Sequence, residues 1–271
     1  MTSGVCLFVV DALDPALALI AQARLTDAPL ELLVRLDLTD ATAHLNLASK
    51  FGVPVADAPD LGGAIHAAGG HVTGLAFHLG SQASSAAAAH SASSVALTLA
   101  GEFGLDDPVI DVGGGFPAPY VGAPDWRPFA KALGAPLKGR ARVLCEPGRL
   151  LASAGSVLVA SVISVAQRGS RRVAHLDAGA YHGLLEFSGL LGTSFRVPLS
   201  ALTAEGGPEE LVHLVGPTCD SMDCIFDGPV LLPRLAVGDR VLFHLAGAYC
   251  TSCSSPFNGF AVPYVVGLAP A

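Results

Sequence analysis

Five short apolar runs limit what the first half of this chain can become. Val5–Val10, Glu31–Leu36, Val72–His78, Val109–Val112 and Arg142–Cys145 have strand length and β-branched content. Alanine-rich stretches at Pro15–Ala23, Leu61–Ala68, Ala83–Phe103 and Arg127–Leu133 separate them and have the length and spacing of helices. Strand, helix, strand at this interval predicts βα units feeding a parallel sheet. After Arg149 the texture changes. Ser156–Val165, Arg172–Leu176, Glu210–Val215, Arg240–Leu245 and Ala261–Val266 read as strands divided by Gly and Pro turns, with no helical period between them. The expectation is an α/β domain over residues 1–152 followed by an all-β domain over 153–271.

Composition removes several function classes. The net charge is −8 with 15 Lys+Arg, and the largest basic cluster is Arg171-Arg172, which disfavours nucleic acid as a partner. Mean hydropathy is +0.54, yet no apolar run reaches the roughly 18–20 residues of a membrane span. The amino end has no basic stretch before its apolar run, so no secretory signal is expected and a cytoplasmic enzyme is. The acidity fits a cationic small substrate. Cys250 and Cys253 form a C-x-x-C that would suit zinc or redox chemistry. No His or second pair stands in register with them, so reduced thiols and no metal are the expectation.

Candidate functional residues cluster at or just after the strand ends, the rim where a (β/α) barrel places its chemistry. Gly113-Gly114-Gly115 follows a strand; three glycines let backbone N–H groups approach an oxyanion, although a tight turn needs the same residues. Glu146-Pro147-Gly148-Arg149 follows the next strand. A carboxylate such as Glu146 suits the ring nitrogen of a pyridine-type cofactor, and the planar fork of Arg149 suits a phosphate; a structural ion pair is the alternative. His78 precedes Gly80-Ser81, where an imidazole could stack on a flat ring and the Ser81 hydroxyl could hold phosphate. Cys219-Asp220 joins a proton donor to an anion for a substrate ammonium. Tyr249 offers a hydroxyl for phosphate, and Asp177 a second anion for a cationic side chain.

Taken in order, His78-Leu79-Gly80-Ser81, the GGG run, Glu146 to Arg149, Asp177-Ala178-Gly179, Cys219-Asp220 and Gly247-Ala248-Tyr249 with Phe257-Asn258-Gly259-Phe260 resemble the fold-type III pyridoxal-phosphate decarboxylases of ornithine, lysine, diaminopimelate and arginine. The ornithine/lysine branch is the best match, from about Gly4 to the C-terminus. A racemase of related barrel fold suits Cys219-Asp220 and the Phe-Asn-Gly-Phe ending less well. The resemblance implies pyridoxal phosphate as cofactor, with His78 on its ring and Glu146 at its nitrogen. Ser81, Gly113, Gly114, Gly115, Gly148, Arg149 and Tyr249 would lie about the phosphate, and Arg35 near the cofactor face. It makes Cys219 the acid that protonates the carbon after CO2 leaves, and gives the distal ammonium of a basic amino acid to Asp177 and Asp220. It also implies active sites shared across a two-fold dimer.

One departure follows. The family barrel, an alanine-racemase-like TIM barrel, has strands before the one that Val5–Val10 resembles, and the cofactor-bearing lysine lies on the first of them. This chain has only Lys50, Lys131 and Lys138. Lys50-Phe51-Gly52 matches a family tripeptide with another role, and the other two lie away from any strand end. The expectation is therefore an incomplete (β/α) barrel without the usual lysine. Its open edges would be covered by a homodimer mate or a complementing amino-terminal subunit. A non-catalytic relative serving as a binding or regulatory partner, and a reading frame whose start is placed too late, are the other expectations that fit.

Overall fold

The computed structural model describes residues 4–47, 50–191, 195–203 and 206–269. By its contacts the chain divides into two compact units, Met1–Pro117 with Pro124–Gly148, and Ala118–Ala123 with Arg149–Ala271. The excursion of Ala118–Ala123 into the second unit has no mark in the sequence.

The first unit is a five-stranded sheet of β1 (Leu7–Val10), β2 (Glu31–Arg35), β3 (Val72–Ala76), β4 (Val109–Asp111) and β5 (Arg142–Leu144), in that order and parallel throughout. Helices α1 (Leu13–Thr26), α2 (Ala58–Ala67), α3 (Ala86–Glu102) and α4 (Trp126–Leu137) form the crossovers. Helix α3 starts where the Ser85 hydroxyl accepts from the Ala88 N–H. It buries Ala89, Ala92, Ala96, Leu99 and Ala100, an i, i+3, i+4 stripe that lets a small-residue helix lie close to its neighbours. Helix α4 is capped by Asp125 and buries Phe129, Leu133 and Leu137 one turn apart. The inner strands are sealed: Leu32, Val34, Leu75 and Ile110 have no exposed surface. The outer ones are not. On β1 Val9 is 44% exposed, and on β5 Val143 is 47% and Leu144 40% exposed. Those are apolar edges of the kind that pair with or pack against something else.

The second unit opens with a single turn, α5 (Arg149–Ala152), and is built on a six-stranded sheet. Its strands are β6 (Leu158–Arg168), β7 (Arg171–Leu176), β8 (Leu199–Leu202), β9 (Glu209–Val215), β10 (Cys224–Pro233) and β11 (Arg240–Phe243), in the order β10-β9-β7-β6-β11-β8. Only β7 and β9 run parallel. Beneath them Phe187, Phe226 and Phe243 pack ring on ring with centroids 6.3–6.4 Å apart, and Tyr120 meets Phe187 and Phe195.

Three expectations change here. Strands β8 and β10 were not foreseen. In β10 the Asp227-Gly228-Pro229 turn signal is a bulge: the register slips between Ile225 and Val230 and the strand continues. Ala261–Val266, expected as a strand, is irregular chain with Tyr264 94% and Val265 77% exposed. Its apolar content has strand character, but it pairs with no strand among the described residues, and Pro263 removes one donor.

Candidate active site

The carboxyl ends of β2 to β5 bring together Arg35, His78, Asp111, the three glycines and Glu146. His78 lies two residues past β3, and its Nδ1 accepts from the Gly80 N–H at 3.0 Å. Nδ1 is thus the acceptor of a neutral ring that carries its proton on Nε2. Burial holds the imidazole below its usual range, Arg35 depresses it further, and Asp111 opposes them. The unfolded chain takes up that proton near pH 6.5, the folded one only at lower pH. Stability from this group is therefore complete above about pH 6.5 and is lost as pH falls through the folded midpoint. NMR titration of the His78 ring is expected to give a midpoint clearly below 6.5. A midpoint at or above that value would remove the half-buried neutral ring.

The glycines are required by what lies over them. Gly113 and Gly115 have φ of +66° and +81°, and a side chain on Gly114 would strike the Glu146 carbonyl at 2.5 Å and His78 Nε2 at 3.1 Å. The loop is pinned by the Asp111 carboxylate, which accepts from the Gly113 N–H at 2.8 Å, and by the Glu146 N–H, which donates to Gly113 O at 2.7 Å. Burial and then Asp111 raise the Glu146 carboxyl, and Arg35 pulls it down. Arg35 also lies 5.1 Å from the Phe51 ring centroid, which Lys50 approaches at 5.0 Å. Ser81 is fixed by backbone bonds to His44 and Leu45, in a corner that Asp40 ties to Ser84 and Ser85. Gly148 ends the unit and is exposed.

In the second unit Arg149 is buried, 8% exposed, and its Nη1 forms an ion pair with Glu186, itself 6% exposed. The guanidinium lies over the rings of Phe195 and Tyr249, at 4.5 and 4.6 Å from their centroids. Its Nε is buried without a hydrogen-bond partner, and the buried Tyr120 hydroxyl lies beside the guanidinium. Gly247 fixes the Tyr249 loop by donating to Ser153 O at 2.9 Å.

A second cluster forms around Cys219 and Asp220. The Asn258 amide donates to Cys219 Sγ at 3.1 Å, which joins the Cys-Asp loop to the Phe-Asn-Gly-Phe motif. The Tyr181 hydroxyl donates to Asp220 at 2.5 Å, and its ring lies 4.3 Å from that of Phe257. The Tyr181 hydrogen bond, then the Met222 N–H, hold the Asp220 carboxyl below its usual value. Tyr181→Phe keeps the ring contact and removes that bond, so the Asp220 midpoint in a carboxyl NMR titration is expected to rise. An unchanged midpoint would show that the tyrosine does not govern this carboxylate. Asp223, 2% exposed, braces the loop by accepting from Ala180 N, Thr218 N and Thr218 Oγ1. Cys219 and Asp220 line a cleft of about 480 Å³ with Arg168, Arg171 and His175. The Asp177 carboxylate accepts from the Ser161 N–H at 2.7 Å and so holds β6.

Tyr120, Tyr181 and Glu186 escaped the sequence reading, and Asp111, part of the glycine motif Asp111-Val112-Gly113-Gly114-Gly115-Phe116, was given no role there. The first three become visible when distant segments meet. Lys131 and Lys138 lie exposed on α4 and at its end. Among the described residues no cluster of His, Cys, Asp and Glu could hold a metal, no helix is long and apolar enough to cross a membrane, and all six cysteines are free thiols.

A parallel α/β sheet with a glycine cradle at its strand ends, followed by a mixed β unit, defines a class of scaffold rather than one enzyme. The family described as "Pyridoxal-dependent decarboxylase, C-terminal sheet domain" matches residues 7–247, and the chain belongs to it. Lysine/ornithine decarboxylase of Selenomonas ruminantium is 34% identical over 238 residues, covering 85% of this chain and 59% of that protein. The structure of lysine/ornithine decarboxylase complexed with cadaverine from Vibrio vulnificus superposes with a TM-score of 0.83 at 30% identity, over 99% of this chain and 71% of that one. Antizyme inhibitor 2 of Xenopus laevis is 27% identical over 252 residues, covering 84% of this chain and 54% of that protein. The chain thus spans about six tenths of the length of the curated relatives it matches.

The family's cofactor is pyridoxal phosphate, and the residues present fit it. The glycine cradle admits no side chain, and an unpartnered guanidinium Nε is buried beside the Tyr120 phenol.

Proposed function

We propose that this chain supplies most of the site of a pyridoxal-phosphate decarboxylase acting on a basic amino acid such as ornithine or lysine. The observation that carries the reading is the convergence of Arg35, His78, the triple glycine and Glu146 at one end of β2 to β5. The cofactor, when bound, provides an electron sink for the charge left behind by CO2. His78 presents a neutral imidazole to its ring, and Glu146 keeps a proton on the ring nitrogen. Ser81, the glycine loop, Gly148, Arg149 and Tyr249 hold its phosphate. Cys219 gives a proton to the carbon that has lost CO2. Asp220, kept ionised by Tyr181, takes the distal ammonium of the substrate, with Asp177 as the second carboxylate. None of Lys50, Lys131 and Lys138 bears the cofactor. The exposed apolar residues of β1 and β5 are covered by a dimer mate or a complementing amino-terminal subunit, in the cytoplasm.

The purified 271-residue protein, titrated with pyridoxal phosphate, is expected to develop the absorbance band of bound cofactor. Borohydride treatment is expected to label no lysine of this chain, and CO2 release from ornithine or lysine to be slow until a second chain is supplied. A folded protein that takes up no cofactor would end this reading. That outcome favours a second reading, a binding or regulatory partner, which draws support from the likeness to a relative named as an inhibitor.

A further inference from the structure

The buried pair of Arg149 and Glu186 poses a problem that the proposed cofactor site does not solve. Arg149 is the cation on which the phosphate would depend, yet its Nη1 already holds a carboxylate, and both side chains are almost wholly buried. The position of Glu186 is fixed by its neighbours. It sits in the turn Leu185–Phe187, next to Phe187 of the aromatic core, and its carbonyl accepts from the Phe195 N–H at 3.1 Å. The other edge of the guanidinium is different: Nε lacks a hydrogen-bond partner, and the Tyr120 hydroxyl lies beside the guanidinium. A guanidinium buried with no counter-ion is costly, so an empty site needs Glu186. A loaded site does not. Its phosphate would bring about −2 of charge beside a carboxylate at low local dielectric.

We propose that Glu186 is the resident counter-ion of Arg149, and that cofactor loading exchanges this carboxylate for the phosphate on the same guanidinium. The inference rests on the reading that Arg149 holds the cofactor's phosphate. Glu186 then has two opposite effects. It stabilises the ligand-free protein and weakens its hold on any phosphorylated ligand. A carboxylate that merely braced Arg149 would do only the first.

Glu186→Gln keeps the shape and an acceptor oxygen while removing the charge. Calorimetric titration of wild type and variant with pyridoxal phosphate, and with pyridoxal as the phosphate-free probe, separates the two effects. The variant is expected to bind pyridoxal phosphate at least about tenfold more tightly and pyridoxal within about twofold of wild type. Its ligand-free form should melt at a lower temperature. If the variant binds pyridoxal phosphate no better than wild type does, Glu186 is only a brace and the exchange is overturned, while the cofactor reading stands. If neither protein prefers pyridoxal phosphate to pyridoxal, both fall. Should the variant fail to fold, wild type decides. A phosphate advantage above about a hundredfold means that Arg149 is already free and overturns the proposal, a smaller but measurable one supports it, and none at all overturns it together with the cofactor reading.

Discussion

Gly115→Ala is expected to destabilise the first unit by about 3 kcal/mol or more, a large share of the stability of an ordinary domain. Two costs add. The residue has φ of +81°, which alanine adopts only with strain, and the new methyl group would run into the Gly80 carbonyl. That carbonyl belongs to the corner held by His78 Nδ1 and cannot withdraw without breaking the bond from the Gly80 N–H. Gly101→Ala is the control: it lies within α3 and its added carbon meets nothing within 4 Å. It should be neutral or mildly stabilising. Chemical denaturation of the two variants side by side measures the difference. Equal midpoints would show that the glycine loop yields, and that it is no rigid cradle for a phosphate.

The second large effect concerns Arg149. Arg149→Met removes a cation and leaves Glu186 buried beside nothing that can neutralise it. The expected loss is about 3–5 kcal/mol, the usual consequence of stranding one member of a buried pair. The thioether can still pack against Phe195 and Tyr249, so the loss reports charge more than volume. The double variant Arg149→Met, Glu186→Gln should recover much of that stability, because no net charge then remains in the cavity. A double-mutant cycle on denaturation midpoints measures the coupling. If the double variant is no more stable than Arg149→Met, the two side chains are not coupled and the ion pair has no energetic meaning.

The alternating strands and helices of the first unit were legible because each element announces itself locally. The alanine-rich run that became α3 and the apolar runs that became β2, β3 and β4 are short-range patterns. The glycine loop and the flanking His78 and Glu146 were legible for a related reason, since parallel strands place their ends on one rim. The second unit was harder. Its strands β8 and β10 depend on partners far along the chain, and a bulge at Asp227-Gly228-Pro229 has the same residues as a turn. Ala261–Val266 shows the converse, apolar strand-like sequence without a ladder.

By itself the sequence marked which residues are candidates for chemistry. The motifs are contiguous, and glycine, a guanidinium and an imidazole each have few physical substitutes. Only the tertiary structure decided their partners. It set Glu186 against Arg149, Tyr120 beside that pair, and Tyr181 on Asp220, over separations of 37 and 39 residues in the two hydrogen-bonded cases. No local pattern encodes such meetings, because they arise from the packing of segments whose order in space is not their order in the chain. The electrostatic surroundings of Arg149 and Asp220 were settled at that level.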